Sequence, residues 1–207
     1  GPHRGGWRFD AETAAAVTLP RGATGLLGRR LVEVPPATLR ILEAAAVCGR
    51  TWDLALLAEL FSLSPVDIDF AVNDARRARL VARDARGEVR FVHDAVRETL
   101  LEGLAEPARR ALHQRCAEAL DRRDDLDFEG LCARALHYAL GVAERTPARA
   151  FEAQRSAAKH ALARGAAEEA VAYLEAAWPF ARLAELELDL AFHQDLGEAH
   201  LRTGELE

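Results

Sequence analysis

Lysine is almost missing from this 207-residue chain: Lys159 is the only one, so nearly every basic side chain is an arginine. That skew reads as coding bias, and no binding inference follows from it. Aromatic residues make up 6% of the chain while half of all residues are hydrophobic, so alanine and leucine must supply the core. Small and unbranched apolar side chains favour close-packed helices over a strand-rich sandwich. No apolar run approaches the ~20 residues that cross a bilayer, and the N-terminus lacks a signal-peptide pattern. The expectation is a cytoplasmic chain with no membrane partner. Cysteine is scarce too. Cys48, Cys116 and Cys132 are odd in number, lie in apolar helical patterns and lack metal-type spacing, so they are expected as buried thiols in a reducing compartment. The formal charge of −6 excludes a surface built as a whole to neutralise phosphates, leaving at most a local basic patch.

Catalytic patterns are also lacking. A P-loop needs Gly-x-x-x-x-Gly-Lys-Ser/Thr, so that backbone amides and a lysine surround the phosphates; Lys159 has no such glycine frame. The series Gly22, Gly25, Gly28 has the wrong spacing and is read as linker. No Ser-His-Asp order or isolated carboxylate pair stands out, and no catalytic residue is assigned. Asp124, Asp125 and Asp127 lack the glycine and bidentate glutamate of a calcium loop and are read as a polar turn. His113 with Cys116, and His193 with His200, share helical faces, but sequence spacing offers neither pair a third ligand. No metal is expected.

What is present is a succession of helix signals. Gly1-Pro2 resembles the remnant of a cleaved tag, and the segment up to Val34 is mixed, with one short helical face at Leu26, Leu27 and Leu31. Pro35-Pro36 opens a helix to about Val47 that ends at Gly49. Asp53 caps a second, with Leu54, Leu57, Ala58 and Phe61 at helical spacing. Ser64, Pro65 and Asp67 form an acidic capping box for a third, with Ile68, Ala71, Val72 and Ala75 on its buried stripe. Leu80 to Arg83 and Val89 to Val92 flank a Gly87-containing loop and read as a two-stranded hairpin. A fourth helix starts at Asp94 and carries Val96, Leu100 and Leu104 before Glu106-Pro107 opens the next. Beyond it the pattern is of helical hairpins: Leu112, Cys116 and Leu120, then Phe128, Leu131, Ala135, Ala139 and Val142, then a helix capped at Thr146-Pro147.

The last third repeats itself. Aligning Gly165 with Gly204 sets Ala158 opposite Gly197 and Ala161 opposite His200. Ala158, Gly165, Ala170 and Ala177, with bulky Leu174, and then Leu196-Gly197, Ala199 and Gly204, fit the tetratricopeptide pattern, in which closely crossing helices tolerate little more than a methyl group. Gln154 and His193 replace its aromatic position, and extra residues around Pro179 lengthen its period. A solenoid exposes its core if it stops halfway through a helix pair, so the chain is expected to continue beyond Glu207.

Three ordered blocks, "RRLVEVPPATLRILEAAAVCGRTWD" (Arg29 to Asp53), "RLVARDARGEVRFVHDAVRETLLEGL" (Arg79 to Leu104) and "RRALHQRCAEAL" (Arg109 to Leu120), give the stretch from Leu26 to Leu112 a likeness. It resembles the winged-helix region of signal-transduction ATPases with numerous domains, in particular the large ATP-binding regulators of the LuxR and MalT type. The resemblance implies a mainly α fold: residues 1–35 as tag remnant and tail of an upstream ATPase, 36–105 as a winged-helix domain of three to four helices and a hairpin, and 106–207 as an α-solenoid of tetratricopeptide-like hairpins. It implies a non-catalytic regulatory and sensor fragment of a multidomain bacterial transcriptional regulator. ADP or ATP would bind a preceding nucleotide-binding domain, with no cofactor in the chain itself.

In that family a Met-His-Asp-like motif places its histidine on the β-phosphate of ADP. Val92-His93-Asp94 matches it with Val for Met, which makes His93 the expected nucleotide-state sensor and Asp94 the cap of the fourth helix. The concave face of the repeats would offer Glu152, Arg155, Lys159, Gln194, Glu198 and Arg202 to an inducer or partner protein. An alternative is a DNA-binding transcription factor with helical oligomerisation repeats, in which Arg76, Arg77 and Arg79 on the third helix enter the major groove. In the family DNA is bound by a separate domain. A further alternative is a scaffold module of a kinase- or cyclase-linked ATPase.

Overall fold

Proline and short polar side chains set where the helices begin. A computed structural model describes residues 21–204, with side chains from residue 27 onward. The expectations for the first twenty residues and for 205–207 lie outside the described residues. The described chain is mainly helical, with one two-stranded sheet: α1 (Arg21–Val32), α2 (Pro36–Cys48), α3 (Leu54–Phe61), α4 (Pro65–Arg77), β1 (Val81–Arg83), β2 (Val89–Phe91), α5 (Asp94–Gly103), α6 (Glu106–Leu120), α7 (Phe128–Leu140), α8 (Pro147–Ala163), α9 (Ala167–Leu183) and α10 (Leu190–Thr203). Among these residues no helix is long and apolar enough to cross a membrane.

Local chemistry accounts for the boundaries. Pro36 occupies the first helical position of α2, where its missing N–H costs nothing. The Asp53 side chain accepts from Leu56 N–H at the head of α3. Ser64 and Asp67 exchange both bonds of a capping box at the head of α4. Asp127 and Asp189 cap α7 and α10 in the same way as Asp53. The segment read as a glycine linker is the helix α1, with Gly22, Gly25 and Gly28 inside it and Leu27 buried. Its apolar face against the first core outweighs the glycine penalty of about 1 kcal/mol each.

β1 and β2 pair antiparallel, with Val81 opposite Phe91 and Arg83 opposite Val89. Thr51 adds a bridge to Arg90, and Trp52 N–H donates to the Val89 carbonyl at 2.9 Å, so the chain after α2 lines the outer edge of the hairpin. Trp52 meets Phe91 edge-on at 5.5 Å between ring centroids.

Two cores result. The first gathers Leu42, Leu57, Val72, Leu80, Val89, Val96 and their neighbours from α2 to α5 and the hairpin, and it runs on into α6 through Cys116, Ala119 and Leu120. The second takes Ala117 from α6 and continues through Tyr138, Phe151, Leu174 and Phe192 to Ala199. The expected boundary at 105/106 is thus no gap in packing, because α6 gives one face to each core. From α6 onward each helix packs on the next, and α8 also meets α10. The α8 and α9 helices bring the fully buried Ala158, Ala161, Ala170 and Ala177 into the second core, the small side chains that let two helices approach closely. Pro179 lies inside α9, where it removes one ladder hydrogen bond.

Candidate functional site

His93 sits at the junction of β2 and α5. It is the residue preceding the helix, exposed, in extended conformation, and its ring makes no capping bond. The expectation that Asp94 caps α5 is corrected: Asp94 is the first helical residue, and its carboxylate pairs with Arg50 in the loop after α2. In that position it still complements the positive end of the helix dipole. His93 and Asp94 border an open cleft of about 610 Å³ with Arg50, Thr51, Arg90 and Phe91. Two guanidiniums, an imidazole and the first turn of a helix meet there against one carboxylate. That arrangement is suited to an oxyanion such as a phosphate.

The arginines of the DNA alternative lie elsewhere. Arg76 and Arg77 are on the last turn of α4 and Arg79 is in the turn to β1, all exposed. Arg79 adopts a left-handed conformation with φ 57°, and its N–H bonds the Arg76 carbonyl. Arg77 leans on Asp74 at 3.4 Å. Arg76, Arg77 and Arg83 line an open cleft of about 520 Å³, and Arg83 pairs with Asp69 at 2.8 Å.

The residues expected to receive a ligand on the repeats fall on the paired helices α8 and α10, and three of the six are already engaged. The Arg155 side chain is only 14% exposed and clamps both carboxylate oxygens of Asp189 at 2.8 and 2.9 Å. Arg202 donates to the Leu162 carbonyl at 2.8 Å and pairs with Glu198 at 2.6 Å. Arg155, Arg202 and Glu198 thus tie α8 to α10 or brace α10 itself. Glu152, Lys159, Gln194, Glu198 and Arg202 are exposed. The Phe192 N–H, followed by the Arg155 guanidinium, holds the Asp189 carboxyl below its ordinary range.

A fourth constellation was not visible in sequence spacing. Cys48 at the end of α2, Cys116 in α6 and His137 in α7 bring one ligand atom each within 4.8 Å of one another. The two sulfurs are 3.5 Å apart. His113, one turn before Cys116, meets His137 Nδ1 to Nδ1 at 2.8 Å. Burial lowers both imidazole pKa values to about 4, helped for His113 by Arg109 and for His137 by His113. The hydrogen bond with Cys116, then burial, pushes the Cys48 thiol far above its ordinary value. The expectation that His113 and Cys116 find no third ligand-type neighbour is thereby corrected.

No family model, curated protein or solved structure matches this chain.

The signal that finds His93 in the sequence is the end of the hairpin followed at once by a helix start, and the fold leaves that residue at the surface. The Cys–His group has no such signal. Its members come from three helices, with a sequence separation of 68 for the two cysteines and 24 for the histidines, distances along the chain that no ligand-spacing rule covers. Helical phase on α7 was the one available hint. The expected stripe ran through Ala139 and Val142, but Ala139 is exposed and Val142 lies past the helix, while His137 and Tyr138 turn inward. Tyr138 is held there by its hydroxyl, which donates to Asp121 at 2.8 Å.

Proposed function

We propose that this chain is a non-catalytic regulatory module of a multidomain signal-transduction ATPase, a transcriptional regulator in which a winged helix formed by α2–α5 and the hairpin reports nucleotide state to tetratricopeptide-like repeats. The observation that carries the reading is the exposed imidazole of His93 at the head of α5, beside Arg50 and Arg90 in one open cleft. A phosphate presented by a nucleotide-binding domain packed on this surface would meet donors on two sides. The ADP or ATP belongs to that other domain, and this chain supplies the contact that depends on which nucleotide is bound. The fully buried small residues Ala158, Ala170 and Ala177, and the positive φ of Gly165 and Gly204 after α8 and α10, agree with the tetratricopeptide pattern. Glu152, Arg155, Lys159, Gln194, Glu198 and Arg202 on α8 and α10 are the residues offered to an inducer or partner protein.

Joining the chain to its nucleotide-binding domain tests this. His93→Ala should speed ADP release and uncouple activation, and unchanged ADP retention would remove the sensor role.

One observation favours the second reading, in which the module binds DNA: Arg76, Arg77 and Arg79 stand exposed together at the end of the third helix of the module, α4. Retardation of duplex DNA that falls steeply with salt, and that is lost when Arg76→Ala and Arg79→Ala are combined, would establish it over the first.

A further inference from the structure

The geometry points to a thiophilic metal site, of the kind that holds Zn2+, formed by Cys48, Cys116 and His137 with His113 as the residue that orients His137. Two thiolates bound to one tetrahedral Zn2+, each at about 2.3 Å, lie about 3.7 Å apart. The Cys48 and Cys116 sulfurs are already 3.5 Å apart, with a ring nitrogen of His137 within 4.8 Å of both. Little movement separates this arrangement from a coordination shell.

The contact between the histidines supplies what a metal-binding imidazole usually has, a hydrogen bond that fixes its tautomer and orientation. When Nδ1 of His137 donates to Nδ1 of His113, one of the two directions that their 2.8 Å contact allows, Nε2 of His137 carries the free lone pair.

Access and a fourth position are present on the same side. Cys48 and His137 line a cavity of about 480 Å³ whose wall also carries Asp53, paired with Arg123, and Asp125, Asp127 and Glu129. That acidic surround draws cations inward. Binding would release the two thiol protons to solvent and leave a neutral centre of one Zn2+, two thiolates and an imidazole, with water from the cavity completing four-coordination. The site ties the end of α2 to α6 and α7, where the two cores adjoin. The inference does not depend on the role of His93.

The test uses the full chain, reduced and stripped of metal. Zn2+ titrated against a chromophoric chelator should bind at one equivalent per chain and raise the thermal midpoint. Co2+ should give sulfur-to-metal charge-transfer bands and the visible bands of a tetrahedral centre, a readout that needs no variant. Cys48→Ser and His137→Gln should each abolish the cobalt bands while far-UV circular dichroism stays helical. His113→Gln should weaken binding about 10–100-fold, and Cys132→Ser should leave it unchanged. The proposal is overturned if the reduced chain takes up no Zn2+ and shows no thiolate-cobalt bands, if binding survives both Cys48→Ser and His137→Gln, or if Cys132→Ser removes it.

Discussion

Acid should destabilise this protein before any carboxylate with a lowered pKa begins to titrate, through the two facing histidines. His113 and His137 are both buried, with their Nδ1 atoms 2.8 Å apart. Only one proton fits between two such nitrogens, so each further proton must be placed on a ring without water around it. Burial is the main cause at both, lowering each pKa from its ordinary 6.5 to about 4. The folded value lies below the unfolded one, so between about pH 6.5 and pH 4 the unfolded chain takes up protons that the folded chain refuses. The stabilisation is fully present above the unfolded value and is lost as the pH falls toward the folded one. For His137 the displacement corresponds to on the order of 3 kcal/mol at 1.36 kcal/mol per decade. His113 adds less, because its ring borders the cleft shared with Arg97 and Arg109, where solvent screens the charge. Urea unfolding of the metal-free chain, followed by far-UV circular dichroism from about pH 7.5 down to about pH 4.5, should show stability falling steadily below about pH 6.5. The double variant His113→Gln with His137→Gln should start lower and respond far less to pH in that window. Equal pH slopes for the two proteins would refute the reasoning.

Two other substitutions probe the packing. A Cβ at the buried Gly141 would stand 2.8 Å from Gln114 Oε1 and 3.0 Å from the His137 carbonyl oxygen, so Gly141→Ala should cost about 1–3 kcal/mol in chemical unfolding. A loss below the resolution of that measurement would mean that Gln114 can swing aside despite its bonds to Glu118, Thr146 and Val142. Ser64→Ala removes the side-chain half of the capping box on α4 and should lower stability by about 1 kcal/mol. No change would show that the Asp67 carboxylate satisfies the helix end alone.

Most of the helical frame was legible because its signals are local. Pro36, Asp53, and Ser64 with Pro65 each act within one turn of themselves, and each stands where the sequence puts it. The hairpin was legible from β-branched residues around Gly87 for the same reason. The errors share a cause as well. Gly22, Gly25 and Gly28 looked like a linker because propensity is read without the partner surface that α1 finds on α5. The ties made by Arg155 and Arg202 were not legible, because helical phase says which face a side chain occupies and nothing of what approaches it. Asp189 and the Leu162 carbonyl arrive from 34 and 40 residues away. The Cys48, Cys116 and His137 convergence belongs to the same class, since it exists only once three helices have docked.

The division of α6 between two hydrophobic clusters has a mechanical consequence. Cys116, Ala119 and Leu120 belong to one interior and Ala117 to the other, while Arg115 reaches the Leu60 carbonyl and Arg123 reaches Asp53 on the α3 side. A helix buried on two neighbouring faces leaves no unpacked joint between the interiors it serves. Any tilt of the helices beyond Phe128 against α2 and α3 therefore has to break packing on one of those two faces.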